Sequence, residues 1–289
     1  MKPAPFDYLR PGSLAEAAAA LAGEPNAKVL AGGQSLVPLL SMRLAAPSML
    51  VDINGLTDLS GIEVTGDGVR IGALARHAEV LASAEVARVQ PLLAMALSHV
   101  AHATIRNRGT TVGSIIHADA AAEMPAVLML LGGSVDVESA SGRRTISAAD
   151  LFLGPLETSL RHDEIAVDAF FPALPPGAGV AFDEVARRHG DYALCGVAAL
   201  VRVERGSVVE ARVGYLSVND TPQVVDVGEV LAGGVDDDTL AAAGEAALAR
   251  LDPADDIHAT AAYRAQLVRV LTSRVLRSAH EDALRRSSE

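Results

Sequence analysis

The sequence predicts an α+β protein in two domains, and three observations carry that expectation. Near the N-terminus a buried strand at Val29–Leu30 runs straight into paired glycines and then a helical stretch to about Leu44. Two hairpin patterns follow, about residues 65–68 and 141–142, with helical stretches between them. The Pro- and Gly-rich segment 172–179 then separates this part from long strands and two C-terminal helices. We place the first domain at residues 1–175, in subdomains of about 1–56 and 57–175, and a small antiparallel sheet with helices at 178–289.

The elements are justified in chain order. Ser13-Leu14-Ala15-Glu16 has the form of a capping box, and Leu14, Ala17, Ala18 and Leu21 then share one helical face. Pro25-Asn26 ends that helix. Met49 to Ile53 reads as a further buried strand. Residues 75–86 and 92–103 read as helices, and 106–114, rich in Gly and Thr, as a loop. A helix is expected to begin after Asp119. Val180–Arg187, Leu194–Val203 and Val208–Val218 read as strands, and 241–251 and 261–283 as helices. No internal repeat or low-complexity tail interrupts this order.

Composition removes several functions. Half of the 289 residues are hydrophobic, so a sizeable core is available, but aromatics are 3% and Trp is absent. The core is therefore aliphatic. A net charge of −12 argues against a nucleic-acid partner, which would require concentrated Lys and Arg. The single cysteine, Cys195, can form no intrachain disulfide and cannot hold an iron–sulfur cluster. If electrons pass through this chain, an organic group carries them. The first residues lack the apolar stretch of a signal peptide and the longest apolar run, residues 125–131, is far short of a membrane span, so a cytoplasmic protein with no membrane span is expected.

Two segments could hold a phosphate-bearing ligand. Val29-Leu30-Ala31-Gly32-Gly33-Gln34-Ser35-Leu36 is a strand–turn–helix, and glycine lets backbone N–H groups approach an anion. The helix start adds positive potential. It is neither a Walker A loop nor a Gly-x-Gly-x-x-Gly turn, and an ordinary tight turn accounts equally for the local pattern. Thr110-Thr111-Val112-Gly113-Ser114, with Asp119 and Glu123 beyond, offers hydroxyls, a glycine and two carboxylates suited to a ligand with phosphate and polyol groups. A capped helix start, with Asp119 as cap, explains it as well. His99, His102 and His117 lack the carboxylate or Cys pattern that a zinc site needs, and His102 reads instead as a packed histidine near the glycine loop. Tyr192, in the turn Arg187–Tyr192, could cover a flat ring or simply stand in solvent. No nucleophile elbow or His-Glu-x-x-His appears, and Cys195 lies in an apolar run as a core residue would. No residue is assigned a catalytic or a metal-binding role.

Taken in order, these segments resemble the FAD-binding medium subunits of molybdenum hydroxylases, with the FAD domain of xanthine dehydrogenase a more distant relative. The residues that carry the likeness are Phe6-Asp7-Tyr8 with Pro11, Ala31–Leu36, Arg106–Thr110, His117-Ala118-Asp119, Glu123-Met124-Pro125 and Arg187–Tyr192. The likeness spans essentially the whole chain and lies nearest the quinoline-oxidising type. It implies a two-subdomain FAD domain of the vanillyl-alcohol-oxidase/PCMH type, with non-covalent FAD extended between the subdomains and its ring towards the C-terminal domain. Carried over by position, it places Val29–Leu36 and Thr110–Ser114 at the pyrophosphate. Asp119 and Glu123 fall at flavin-side hydroxyls or phosphate, Ile165 in a backbone contact region, and Tyr192 against the ring. The implied partners are a large molybdenum-cofactor subunit and a small subunit with two 2Fe–2S clusters, in a dimer of heterotrimers. The chain's role would be electron transfer to an external acceptor. A flavin-free scaffold subunit and a free-standing flavin oxidase are the alternatives. The family pattern has paired glycines where this chain has Val112-Gly113, and a β-branched residue resists positive φ. Weakened or rearranged binding at this loop is therefore expected.

Overall fold

The computed structural model describes residues 1–288, and every statement of absence below refers to those residues. The chain opens with β1 (Asp7–Leu9), α1 (Leu14–Gly23), β2 (Ala27–Leu30), α2 (Leu36–Met42) and β3 (Met49–Asp52). The three strands form a small parallel sheet in the order β1-β3-β2, so α1 carries the chain from one edge to the other and α2 returns it to the centre. Ser13 caps α1 by accepting the Glu16 N–H at 3.1 Å. The reciprocal arm of the expected capping box reaches one residue further back, because Glu16 accepts from Gly12 N at 2.7 Å and not from Ser13. Ala17, Ala18 and Leu21 are the buried face, with Leu14 packed at its edge.

The second part holds β4 (Ile62–Val64), β5 (Gly68–Gly72), α3 (His77–Ala82), α4 (Ala84–Val89), α5 (Pro91–His99), α6 (Ala103–Arg106), α7 (Thr111–His117) and α8 (Glu123–Leu131). It continues with β6 (Ser134–Ser139), β7 (Gly142–Ser147), α9 (Ala148–Leu151), β8 (Phe152–Gly154), β9 (Glu157–Thr158) and β10 (Ile165–Pro172). Both expected hairpins are present, and β10 joins them into one antiparallel sheet, β4-β5-β10-β6-β7.

Three local readings differ from the structure. The helix expected over 75–86 is two helices, because the Ser83 hydroxyl caps α4 through Val86 N and ends α3 there. The stretch 106–114 is no loop: α6 ends in it and α7 begins in it, with Thr110 as N-cap. Asp119 caps no helix. It accepts the Ala121 N–H at 2.9 Å after Ala118 has turned left-handed at φ 53°, and α8 starts at Glu123.

The last part is β11 (Ala178–Ala186), β12 (Ala193–Glu204), β13 (Ser207–Leu216), β14 (Gln223–Asp226), α10 (Gly228–Leu231), α11 (Asp237–Leu248) and α12 (Ala261–Arg286). The four strands form a meander in sequence order. One face packs on the preceding helices, so that Val180, Ala198 and Leu200 join the core containing Leu92, Leu97 and Leu128. The other face, with Val197, Ala199 and Val201, packs on Leu271, Val275 and Ala279 of α12. Coverage on both faces is why β12 reads as an unbroken apolar run and not as alternation. Gly179 is required there, since a Cβ would stand 2.2 Å from Ala283 N and 2.3 Å from Ala279 O of α12. The fold is α+β, as expected.

Candidate functional site

The glycine turn between β2 and α2 lies directly on the chain that leads into α7. A Cβ on Gly32 would stand 2.5 Å from Arg108 O, 2.9 Å from Gly109 Cα and 3.0 Å from Thr110 N, so only glycine permits this approach. The two segments are therefore one site in space although 77 residues separate Gly32 from Gly109 in sequence. Gly33 follows at φ +74°, the left-handed region.

Local geometry aims backbone donors into this junction. The N–H groups of Gly32, Gly33, Gln34 and Ser35 meet no protein acceptor among the described residues, and Ser35 makes no side-chain cap on α2. Across from them Thr110 Oγ1 accepts the Gly113 N–H at 3.2 Å, which fixes the first turn of α7. The Val112 N–H has no acceptor either. Unpaired donors at two helix starts, held together, suit an anion.

A hydrogen-bond chain that the sequence reading missed fastens the two segments. Asn54 donates to Ala31 O at 2.8 Å and to Asp52 Oδ1 at 2.6 Å. Its Oδ1 accepts from Arg76 Nη2 at 2.8 Å, and Arg76 Nη1 donates to Arg108 O at 2.7 Å. Main-chain bonds add to the clamp, from His77 N to Gly109 O at 3.0 Å and from Thr111 N to Ala75 O at 3.3 Å. Burial and the neighbouring Arg108 charge both push the Arg76 pKa down, although the group stays cationic. Arg108 stands near Arg76 here, with the Glu79 and Asp52 carboxyls also acting on it. Asn54 carried a weak signal, as a polar residue just after a strand that pairs with β2. Nothing in the spacing pointed to Arg76.

His77 is the packed histidine of this site, in place of the expected His102. His77 is buried under Gly109, and its Nδ1 lies 3.2 Å from Thr111 Oγ1. Burial and the Arg106 charge depress its pKa to about 4, so it is neutral. His102 is exposed, stacked edgewise against His189 and over Gly190. His99 is drawn to Glu184, 3.5 Å away, and His117 stands apart on α7. No group of three His, Cys, Asp or Glu is arranged to hold a metal ion, and no helix is long and apolar enough to cross a membrane.

The remaining expected residues fall around this junction unevenly. Val29, Leu30, Ala31, Gln34, Ser35 and Leu36 are half-buried along β2 and the start of α2. Thr110 and Thr111 are buried, and Gly113 and Ser114 are half-buried on α7. Val112 is buried in that helix and absent from the residues with positive φ, so the expected backbone strain does not exist there. Asp119 and Glu123 follow α7, and their carboxyls lie near the Tyr192 hydroxyl. That hydroxyl is pushed to higher pKa by partial burial and by those two carboxyls. Tyr192 keeps 65% of its surface exposed. Ile165 is buried at the start of β10, paired to Glu138, with its strand packed on α7.

Known proteins resemble this chain in sequence and fold. Residues 4–174 match the family described as FAD binding domain in molybdopterin dehydrogenase, and residues 180–279 match the CO dehydrogenase flavoprotein C-terminal domain. The chain is 42% identical to the 6-hydroxypseudooxynicotine dehydrogenase complex subunit alpha of Paenarthrobacter nicotinovorans, covering 96% of each chain. It is 34% identical to the carbon monoxide dehydrogenase medium chain of Hydrogenophaga pseudoflava, covering 96% of this chain and 98% of that one. The crystal structure of quinoline 2-oxidoreductase from Pseudomonas putida 86 superposes with a TM-score of 0.94 at 38% identity, covering 98% of this chain and 100% of its own. An FAD-binding domain with glycine loops joined at Gly32 and a flavoprotein C-terminal domain packed behind it thus identify this chain as a member of the molybdopterin dehydrogenase FAD-binding family.

Proposed function

We propose that this chain is the electron-transfer subunit of a molybdenum hydroxylase complex. Electrons from 2Fe–2S clusters in a small partner subunit reach FAD held here and leave to an external acceptor. Substrate is hydroxylated at a molybdenum centre in a large partner subunit. The complex is a dimer of heterotrimers in the cytoplasm. The relatives named above support this reading, since one is a subunit of a 6-hydroxypseudooxynicotine dehydrogenase complex and another is the medium chain of a carbon monoxide dehydrogenase. The observation that carries it is the close approach of Gly32 to Arg108–Thr110, which sets unpaired N–H groups of both segments beside the Arg76 and Arg108 cations.

FAD, held non-covalently, supplies a centre that accepts one or two electrons. The chain's own residues bind and orient it. Val29–Leu36 and Thr110–Ser114 cradle the pyrophosphate through backbone N–H groups, and Arg76 and Arg108 offset its charge. Asp119 and Glu123 meet polyol or phosphate groups, Ile165 offers backbone, and Tyr192 lies against the ring. Asn54 and Arg76 are positioning residues that keep the two segments at one separation.

The test is the absorbance spectrum of purified protein. Flavin bands that acid releases, and that substrate bleaches only when both partner subunits are present, are expected. Colourless protein that takes up no added FAD would make the chain a scaffold. Bleaching by substrate without partners would make it a free-standing oxidase.

A further inference from the structure

Backbone strain converges on the connector between α7 and α8. Six non-glycine residues have positive φ among the described residues. Arg43, Ala101 and Arg205 are scattered, but Ala118 at 53°, Leu156 at 57° and Ser217 at 59° meet at this one connector. A side chain resists the left-handed region, so such residues persist where surrounding bonds fix them. Ala118 ends α7. Leu156, in the turn between β8 and β9, donates its N–H to Ala118 O at 3.0 Å. Ser217, just past β13, donates its N–H to Ala120 O at 2.7 Å.

Ser217 makes a second bond, and it reaches a different segment. Its hydroxyl donates to Ala193 O at 2.6 Å, at the start of β12. The β12–β13 ladder begins only at Gly196 and Leu216, so Ala193 lies beyond its end and takes no partner from β13. Ser217 thus bridges the connector that carries Asp119 and leads to Glu123, and the turn that ends in Tyr192. Apolar packing backs the bridge, because Leu216 clusters with Ala193 and with Ala126 of α8. Glycine at 217 would adopt φ 59° without strain, but it would lack the hydroxyl.

We infer that Ser217 is a positioning residue for the flavin ring, fixing the separation between Tyr192 and the connector of Asp119 and Glu123 through its two bonds. This rests on the flavin reading above and goes beyond it, since Ser217 belongs to the C-terminal part and acts through its neighbours. A ring held between two segments is held only as firmly as those segments are held to each other. The N–H bond to Ala120 is main-chain and survives substitution, whereas the bond to Ala193 needs the hydroxyl.

The experiment compares wild type, Ser217→Gly, Ser217→Ala and Thr272→Val as whole proteins. It measures the FAD dissociation constant by quenching of flavin fluorescence, the visible circular dichroism of bound flavin, and Tm. Ser217→Gly relieves the backbone and removes the hydroxyl. It should keep a Tm close to wild type, bind FAD about three- to tenfold more weakly and alter the visible circular dichroism. Ser217→Ala should move both flavin signals in the same direction. Thr272→Val removes the 2.7 Å bond to Tyr215 on the side of the sheet towards α12, and should lower Tm alone. Unchanged affinity and flavin signal in Ser217→Gly would overturn the proposal, as would flavin changes of equal size in Thr272→Val. Wild-type protein that takes up no FAD would overturn the flavin reading itself, a separate and recognisable failure.

Discussion

At the scale of single residues, glycine and valine at the two segments have opposite consequences. Gly32 has no room for a methyl group, since its neighbours on three sides are backbone atoms of residues 108–110. Gly32→Ala must therefore push the segments apart, and we predict at least about tenfold weaker FAD binding, or 1.4 kcal/mol, with the far-ultraviolet spectrum unchanged. Val112 behaves otherwise. The sequence suggested weakened or rearranged binding at this position, from a valine that resists positive φ. In the structure Val112 sits in the first turn of α7 with its side chain in the core. Val112→Gly should cost about 3 kcal/mol, from the cavity and from glycine's freedom in a helix, measured by urea unfolding. Tighter FAD binding in that variant would restore the strain argument. The glycine turn was legible as a strand–turn–helix, while its contact with residues 108–110 was not. The clamp through Asn54 and Arg76 was not, because it is made by residues 22 positions apart that no local pattern connects.

At the scale of elements, strand and helix positions were legible where apolar periodicity was strong, and boundaries failed where one hydroxyl or carboxyl decided them. Ser83 splits a helix, Thr110 starts one, and Asp119 forms a turn where a cap was expected. Short polar side chains serve all three purposes with similar energy, so their role depends on where the chain must go next. Pairing was less legible still: nothing local says that β10 joins β5 to β6. Two ties between elements can be tested. Glu164, just before β10, resists ionisation through burial, yet bonds from Arg144 of β7 and from Arg161 hold its pKa down to about 2. A carboxylate with a depressed folded pKa adds stability above its unfolded value near 4.5 and loses it as pH falls towards 2. Wild-type stability should decline over that window, and Glu164→Gln should lower stability at pH 7 by about 1–3 kcal/mol and flatten the decline. The seat of α12 is the second tie. Gly179→Ala should cost about 3 kcal/mol by driving a methyl group into the α12 backbone, measurable as a fall in Tm.

At the scale of the whole molecule, the division into parts at 175 and 178 is a proposal that the separate sheets support. The connector is narrower than its composition suggested. Ala173 N bonds to Asp67 O, Leu174 N to Val89 O, and Val203 N to Gly177 O, which leaves Pro175 and Pro176 exposed between tied neighbours. Limited proteolysis should cut first within 175–177, and initial cutting inside 106–114 with the connector intact would count against the division. The meander β11–β14 packs its one face on α5 and α8, and that is how Glu184 of the C-terminal part comes within 3.5 Å of His99 of the FAD domain. The family was legible in the order of its motifs, whereas this meeting of two parts needed the three-dimensional packing.

The central claim is that the two segments, clamped together at Gly32, hold FAD. The most direct measurement compares FAD dissociation constants of wild type, Gly32→Ala and Arg76→Ala protein under one set of conditions. The account predicts a tight wild-type complex, loss of at least about tenfold in each variant, and retained secondary structure. Variants that stay folded and bind FAD as tightly as wild type would contradict it.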